Sequence, residues 1–215
     1  MAYKEWDDVF PSILSLVSRG GFHVASVSAM VAASSVSKMT LYKYFGSRDA
    51  LFAALLEWHS ARWREWFFSE VEERAKRPAH QLEAFFEVLE AWLVSGDFSG
   101  CVFSHALADF PEPAHPVRQA AAQHKEAVRQ YLRSLAKKSG AAKPGQLAQR
   151  LELLMEGAVA LASDANRAQV AKQVALLAHL AIQDALPSGA FLRTAADTVP
   201  PRPKTRRRTK RAGKA

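Results

Sequence analysis

Cysteine is almost missing from this chain: Cys101 is the single one among 215 residues. An intramolecular disulfide framework is therefore excluded, in keeping with a reducing compartment. No apolar run approaches the roughly 20 residues that span a bilayer, so no membrane partner is expected. The N-terminus MAYKEWDD lacks the basic-then-apolar order of a secretory signal, which makes the cytoplasm the expected location. Strand-like alternation of apolar and polar residues is missing throughout, and no internal repeat is found. Also missing are H-E-x-x-H, a P-loop, G-x-S-x-G and a dinucleotide glycine fingerprint, which argues against an enzyme; no cofactor and no metal are expected.

Acidic residues are missing from the C-terminal end. Residues 198–215 carry eight cations (Arg202, Lys204, Arg206, Arg207, Arg208, Lys210, Arg211 and Lys214) and no acid, which equals the net charge of +8 of the whole chain. The rest balances 21 cations against 21 acids. Bulk basicity thus belongs to the tail, and any nucleic-acid reading of the folded part must rest on where its charges sit.

What the chain does contain is helical periodicity, and 49% hydrophobic residues suffice for a full core. The expected fold is all-α with about nine helices. Val9, Phe10, Ile13, Leu14, Leu16 and Val17 predict a first helix over residues 7–19, stopped by Gly20-Gly21. Ser26 is a plausible N-cap for a helix over 27–33, and a link of three residues leads to the next. Residues 48–77 read as a long helix whose apolar residues cover more than one face, so it should touch two bodies. Pro78 breaks it. Further helices are expected at 81–94, 100–110, 117–137, 146–163 and 167–186. The tail combines proline with lysine and arginine and has almost no apolar residues, which predicts disorder.

The most informative stretch runs from Ser34 to Leu51, SSVSKMTLYKYFGSRDAL. Ser37 can cap a short helix Lys38 to Phe45 by accepting the N–H of Thr40. Gly46 ends that helix, and Ser47 caps the next with Asp49 in its first turn. The short helix carries Lys38, Thr40, Tyr42, Lys43 and Tyr44 but few core-forming residues, which suits a groove better than a core. Two short helices with so tight a link form a helix-turn-helix.

These residues resemble the tetracycline-repressor (TetR) family of bacterial transcriptional regulators. The resemblance rests on Gly21-Phe22, Ser26-Val27, Met30-Val31, Val36-Ser37, Thr40-Leu41-Tyr42, Tyr44-Phe45, Ser47-Arg48 and Ala50-Leu51, and covers residues 7–56. Ser34 and Ser35 depart from the Ala and Gly usual in the family's turn, so Ser35 is expected either to bear a modest strain or to alter the turn. The resemblance implies a homodimeric repressor that binds a palindromic double-stranded DNA operator and is released by a small apolar effector. Its implied divisions are a DNA-binding domain at residues 1–47, an effector-binding and dimerisation domain at 48–190, and a basic tail at 191–215. Ser26, Thr40, Tyr42 and Arg48 match positions that touch phosphate. Lys38, Met39, Lys43 and Tyr44 match positions that reach base edges, and Ser37 at the helix start is a further DNA-binding candidate.

Pockets between helices of a bundle are lined by aromatics, so Trp66, Phe86, Phe103 and Leu107 are candidates to face an effector, with His105 and His124 as polar anchors. Cys101, His105 and Asp109 recur at i, i+4 and i+8. That spacing allows a metal or redox sensor acting through Cys101 and His105 on the same scaffold, against the plainer reading of a small buried cysteine. A small-molecule carrier is a further alternative, although it has no need of the motif at 26–51. The apolar stripes Leu147, Leu151, Leu154, Ala158, Leu161 and Val170, Val174, Leu177, Ala181 mark the last two helices as the expected dimer interface.

Overall fold

A computed structural model describes residues 6–96 and 98–191. The expected disordered tail lies outside them except for Phe191. Among the described residues there are nine helices and no strand: α1 (Phe10–Gly20), α2 (Val27–Ser34), α3 (Lys38–Phe45), α4 (Arg48–Arg74), α5 (Pro78–Leu93), α6 (Val102–Asp109), α7 (Pro116–Lys138), α8 (Pro144–Leu161) and α9 (Arg167–Ala185). None of them is long and apolar enough to cross a membrane.

The helix boundaries differ from expectation mainly at prolines, and for one reason. Pro78, Pro116 and Pro144 do not merely break or bound helices; each is the first residue of the next one. The first-turn N–H has no partner inside a helix, so its absence costs nothing there, and the fixed φ already suits the turn. Pro11 explains why α1 starts at Phe10 rather than Asp7: its ring cannot follow a helical Asp7, four residues earlier.

Two hydrophobic clusters share the long α4. One gathers Phe10, Ile13, Met30 and Leu41 from the first three helices and Phe22 from the α1–α2 loop with Leu51, Phe52, Leu55 and Trp58, and is closed by Val102, Phe103 and Ala106 of α6 and Val117 and Ala121 of α7. The other begins at Trp63 and combines Phe67 and Val71 with α5, the C-terminal half of α7, α8 and α9. The wide apolar arc of α4 thus serves two bodies, and the seam falls between Trp58 and Trp63. Cys101 packs against both clusters.

The stripes read as the dimer interface are largely spent inside the protomer. Leu147, Leu151, Ala158 and Val174 are buried in the second cluster. The leucines that α8 and α9 turn outward are Leu153, Leu161, Leu176, Leu177 and Leu180, all exposed, and of these Leu161 and Leu177 belong to the expected stripes. Helical periodicity finds apolar faces but cannot tell which one a partner helix of the same chain has already taken.

Candidate DNA interface and effector site

The recognition segment is built by three serine caps. Ser26 Oγ accepts from Ala29 N, Ser37 Oγ from Thr40 N and Ser47 Oγ from Ala50 N, each at 3.1 Å. The Ser37 and Thr40 hydroxyls also bond each other at 2.8 Å. Ser35 is the joint between α2 and α3, with φ 58° and ψ 16°, the one non-glycine left-handed residue among those described. The turn therefore keeps the geometry a glycine would adopt, and the β-carbon bears the strain.

Only Leu41 of α3 is buried, which fixes the helix to the core by one side and leaves the rest outward. Ser37, Lys38, Met39, Tyr42, Lys43, Tyr44 and Arg48 are exposed, as is Ser26, while Thr40 is half-buried. Met39 reaches 79% exposure, far more than an apolar side chain needs for any role in the protomer. The Lys38 ammonium lies 5.9 Å from the Tyr42 ring and the Arg48 guanidinium 5.6 Å from the Phe52 ring. At the far end, Trp6 holds α3 from behind, with its ring 5.2 Å from Tyr44 and 4.7 Å from Phe45. Eight of the nine expected DNA-facing residues are thus exposed, Thr40 is half-buried, and Tyr44 also packs on Trp6.

The six residues expected around an effector divide. Phe103 and His124 come together as parallel rings 3.6 Å apart, and the His59 ring also stacks with Phe103 at 5.4 Å. Phe86 is buried in the second cluster beside Phe85. Leu107 packs half-buried against the first. Trp66 stands apart, 43% exposed, with its ring edge against Phe67. His105 is half-buried, and its Nδ1 is enclosed without a hydrogen-bond partner.

Burial lowers His124 to about 2 and His59 to about 4, with the Lys125 ammonium adding to the effect at His124. Both imidazoles beside Phe103 are thus neutral. His124 Nδ1 shares a hydrogen bond with Ser60 at 3.0 Å, and these two are the buried polar residues of the described chain.

Cys101, His105 and Asp109 do not converge. Cys101 precedes α6 as its N-cap. The Asp109 carboxylate is turned to the α1–α2 loop, where it accepts the N–H of Phe22 at 3.0 Å and faces His23 at 3.3 Å. No cluster of three such side chains suited to a metal ion is found among the described residues. The i, i+4, i+8 spacing fails as a site because the last member of the row is engaged by another element.

Sequence reasoning missed Lys125 and Glu156. Antiparallel α7 and α8 are joined by two ionic rungs, Lys125 with Glu156 and Arg129 with Glu152. The i, i+4 spacing on each helix is the signal that could have found them. The Lys125 ammonium also donates to Ser104 Oγ of α6 at 3.0 Å and lies 4.0 Å from Cys101 Sγ. Glu156 keeps 29% of its side-chain surface, yet its Oε1 is closed from solvent and has no partner. Leaving a buried acceptor unpaired costs roughly 1–3 kcal/mol, and more for a charged group.

The description "Bacterial regulatory proteins, tetR family" fits residues 13–55, and "Tetracyclin repressor-like, C-terminal domain" fits residues 78–176. The HTH-type transcriptional regulator YjdC of Escherichia coli K12 is 22% identical over 151 residues, covering 70% of this chain and 79% of that protein. A TetR-family regulator from Streptomyces coelicolor superposes with a TM-score of 0.73 at 23% identity, over 83% of this chain and 96% of its own. Escherichia coli NemR in its reduced form gives 0.74 at 18% identity, over 86% and 98%. These likenesses show the shared fold, and the helix-turn-helix and the C-terminal helices both fall within matched segments. The chain belongs to the tetracycline-repressor family of DNA-binding transcriptional regulators and is not an enzyme.

Proposed function

We propose that this regulator is a repressor that binds a palindromic operator as a homodimer and is released by a small, largely apolar effector. The observation that carries it is the exposed face of α3, where Lys38, Met39, Lys43 and Tyr44 stand exposed on a helix whose one buried residue is Leu41. Met39 and Lys43 then reach base edges, while Ser26, Thr40, Tyr42 and Arg48 meet phosphate. The head at residues 1–47 reads DNA, and residues 48–190 bind the effector and dimerise. In the dimer the outward leucines of α8 and α9 are covered by their copies across a twofold axis, which doubles the base contacts of a single head. The protein acts in the bacterial cytoplasm.

A fluorescence-anisotropy titration with DNA from upstream of its own reading frame tests this reading. Tight, sequence-selective binding is expected. A carrier on the same scaffold gives only weak binding that vanishes with moderate salt.

A further inference from the structure

We infer that Trp6 is a positioning residue for DNA reading: its ring sets the direction of Tyr44 before DNA arrives, and Asp7 fixes that ring to α4. This rests on the reading of Tyr44 as a base-edge contact and adds to it two residues that lie outside the helix-turn-helix.

Tyr44 keeps 51% of its surface exposed, yet its ring is met edge-on by Trp6 at 5.2 Å, with 76° between the planes. Trp6 precedes the first helix and is nonetheless buried, at 5% exposure. Rings account for that burial: Trp6 stacks on Phe10 at 5.9 Å and stands edge-on to Phe45 at 4.7 Å. Its carbonyl accepts the N–H of Val9 at 3.0 Å, so the turn that carries the indole runs directly into α1.

The next residue ties this turn to α4. Asp7 Oδ1 accepts the indole N–H of Trp58 at 2.8 Å and the Arg62 guanidinium at 2.6 Å, and that guanidinium lies over the Trp58 ring at 4.4 Å. Both partners sit beside the seam between the two hydrophobic clusters. Trp6 and Asp7 thus form a bridge from the middle of α4 to the C-terminal end of α3. That end has need of one. The single buried residue of α3 is Leu41, near its middle, so the turn that carries Tyr44 is held through aromatic contacts. A side chain already directed by a neighbour loses less freedom when it meets a base, a saving worth about two- to tenfold in affinity for one side chain.

Fluorescence anisotropy of the full-length protein tests the proposal, with a duplex from upstream of its own reading frame, single-base variants of that duplex and an unrelated duplex as probes. Trp6→Ala should weaken binding to the preferred duplex about two- to tenfold and relax the preference at the same base position as Tyr44→Ala, while binding to the unrelated duplex stays as it was. In the Tyr44→Ala background Trp6→Ala should have little further effect, because Trp6 acts through Tyr44. Trp6→Phe keeps an aromatic edge and should restore most of the loss. Asp7→Ala should give the Trp6→Ala pattern in weaker form. Trp6→Leu keeps an apolar side chain in the cluster without a ring edge, and takes the place of Trp6→Ala if that variant melts below the assay temperature.

Equal losses on every duplex, or losses of the Trp6 and Tyr44 variants that simply add in the double variant, mean that Trp6 only supports the fold, and overturn the proposal. Tyr44→Ala without effect on any duplex removes Tyr44 from the reading surface and the proposal with it, while the regulator reading stands. Absence of selective binding by the wild-type protein removes that reading too.

Discussion

The Asp109 carboxylate accepts the backbone N–H of Phe22 at 3.0 Å, joining the end of α6 to the loop between α1 and α2 across 87 residues of sequence. Phe22 is itself buried, packed edge-on against Phe52 at 5.0 Å and Phe110 at 5.4 Å. The same loop holds Gly21 at φ 76°, where a β-carbon would come within 3.2 Å of the Asp109 carboxylate. Asp109→Ala strands the Phe22 N–H and should cost about 1–3 kcal/mol in urea denaturation. Asp109→Asn retains an acceptor and should cost less. Equal losses in the two variants would mean that the contact contributes through packing instead of hydrogen bonding.

Ser35 offers a change in the opposite direction. Its φ of 58° places the β-carbon in a conformation that costs an L-residue roughly 1–2 kcal/mol, against which glycine brings its own entropy in the unfolded chain. Ser35→Gly should therefore raise stability by about 0.5–1 kcal/mol, seen as a higher thermal midpoint, with operator preference unchanged. An unchanged or lower midpoint would show that the Ser35 turn is relaxed as it stands.

That turn also marks what the sequence could and could not disclose. Caps are local: Ser26, Ser37 and Ser47 each accept an N–H three residues on, so the helix-turn-helix is legible from spacing alone. The apolar arc of α4 likewise announces two bodies. Neither signal says which neighbour a side chain meets. Spacing aligns Asp109 with its own helix, while its partner comes from a loop 87 residues away. Periodicity assigns Leu147 and Leu151 to a second copy, while helices of the same chain already cover them. Glu156 escapes notice because the vacancy at its Oε1 exists only once α6, α7 and α8 are packed.

Acid should weaken the fold through the His59–Phe103–His124 stack. In the unfolded chain both histidines take up protons near pH 6.5, whereas in the folded chain burial holds them at about 4 and about 2. The unfolded state thus binds more protons below pH 6.5. The stability these groups contribute is complete above that value and is lost progressively as the pH falls towards the folded values, at up to about 1.4 kcal/mol per pH unit for each group. Urea midpoints should drop between pH 7 and pH 5. His124→Gln should flatten that drop, and a variant with the wild-type slope would remove His124 from the account.

Dimerisation should depend on the leucines that α9 turns outward. Leu177 and Leu180 are 49% and 53% exposed in the protomer, so charging them leaves the core intact. The double variant L177K/L180K should keep its helical circular dichroism and sediment as a monomer at micromolar concentration. Its operator affinity should fall steeply, because one head has too few base contacts to hold a site alone. A dimer that persists in this variant would place the interface elsewhere.

Site preference and bulk attraction to DNA should be separable, because they reside at opposite ends of the chain. Residues 198–215 carry eight cations and no acid, while Lys43 stands exposed on a short helix in an otherwise charge-balanced body. Deleting 198–215 should make the dependence of log affinity on log salt shallower by roughly 0.9 for each phosphate that the tail neutralises, and leave the ranking of operator variants as it was. Lys43→Ala should do the reverse: it should weaken binding to the preferred operator by about 1–3 kcal/mol, relax the preference at a single base position, and change the salt slope by no more than about one. If the tail deletion also reshuffled the ranking of operators, the tail would be reading sequence as well. Unchanged affinity of the Lys43 variant for every site would remove that residue from the reading surface.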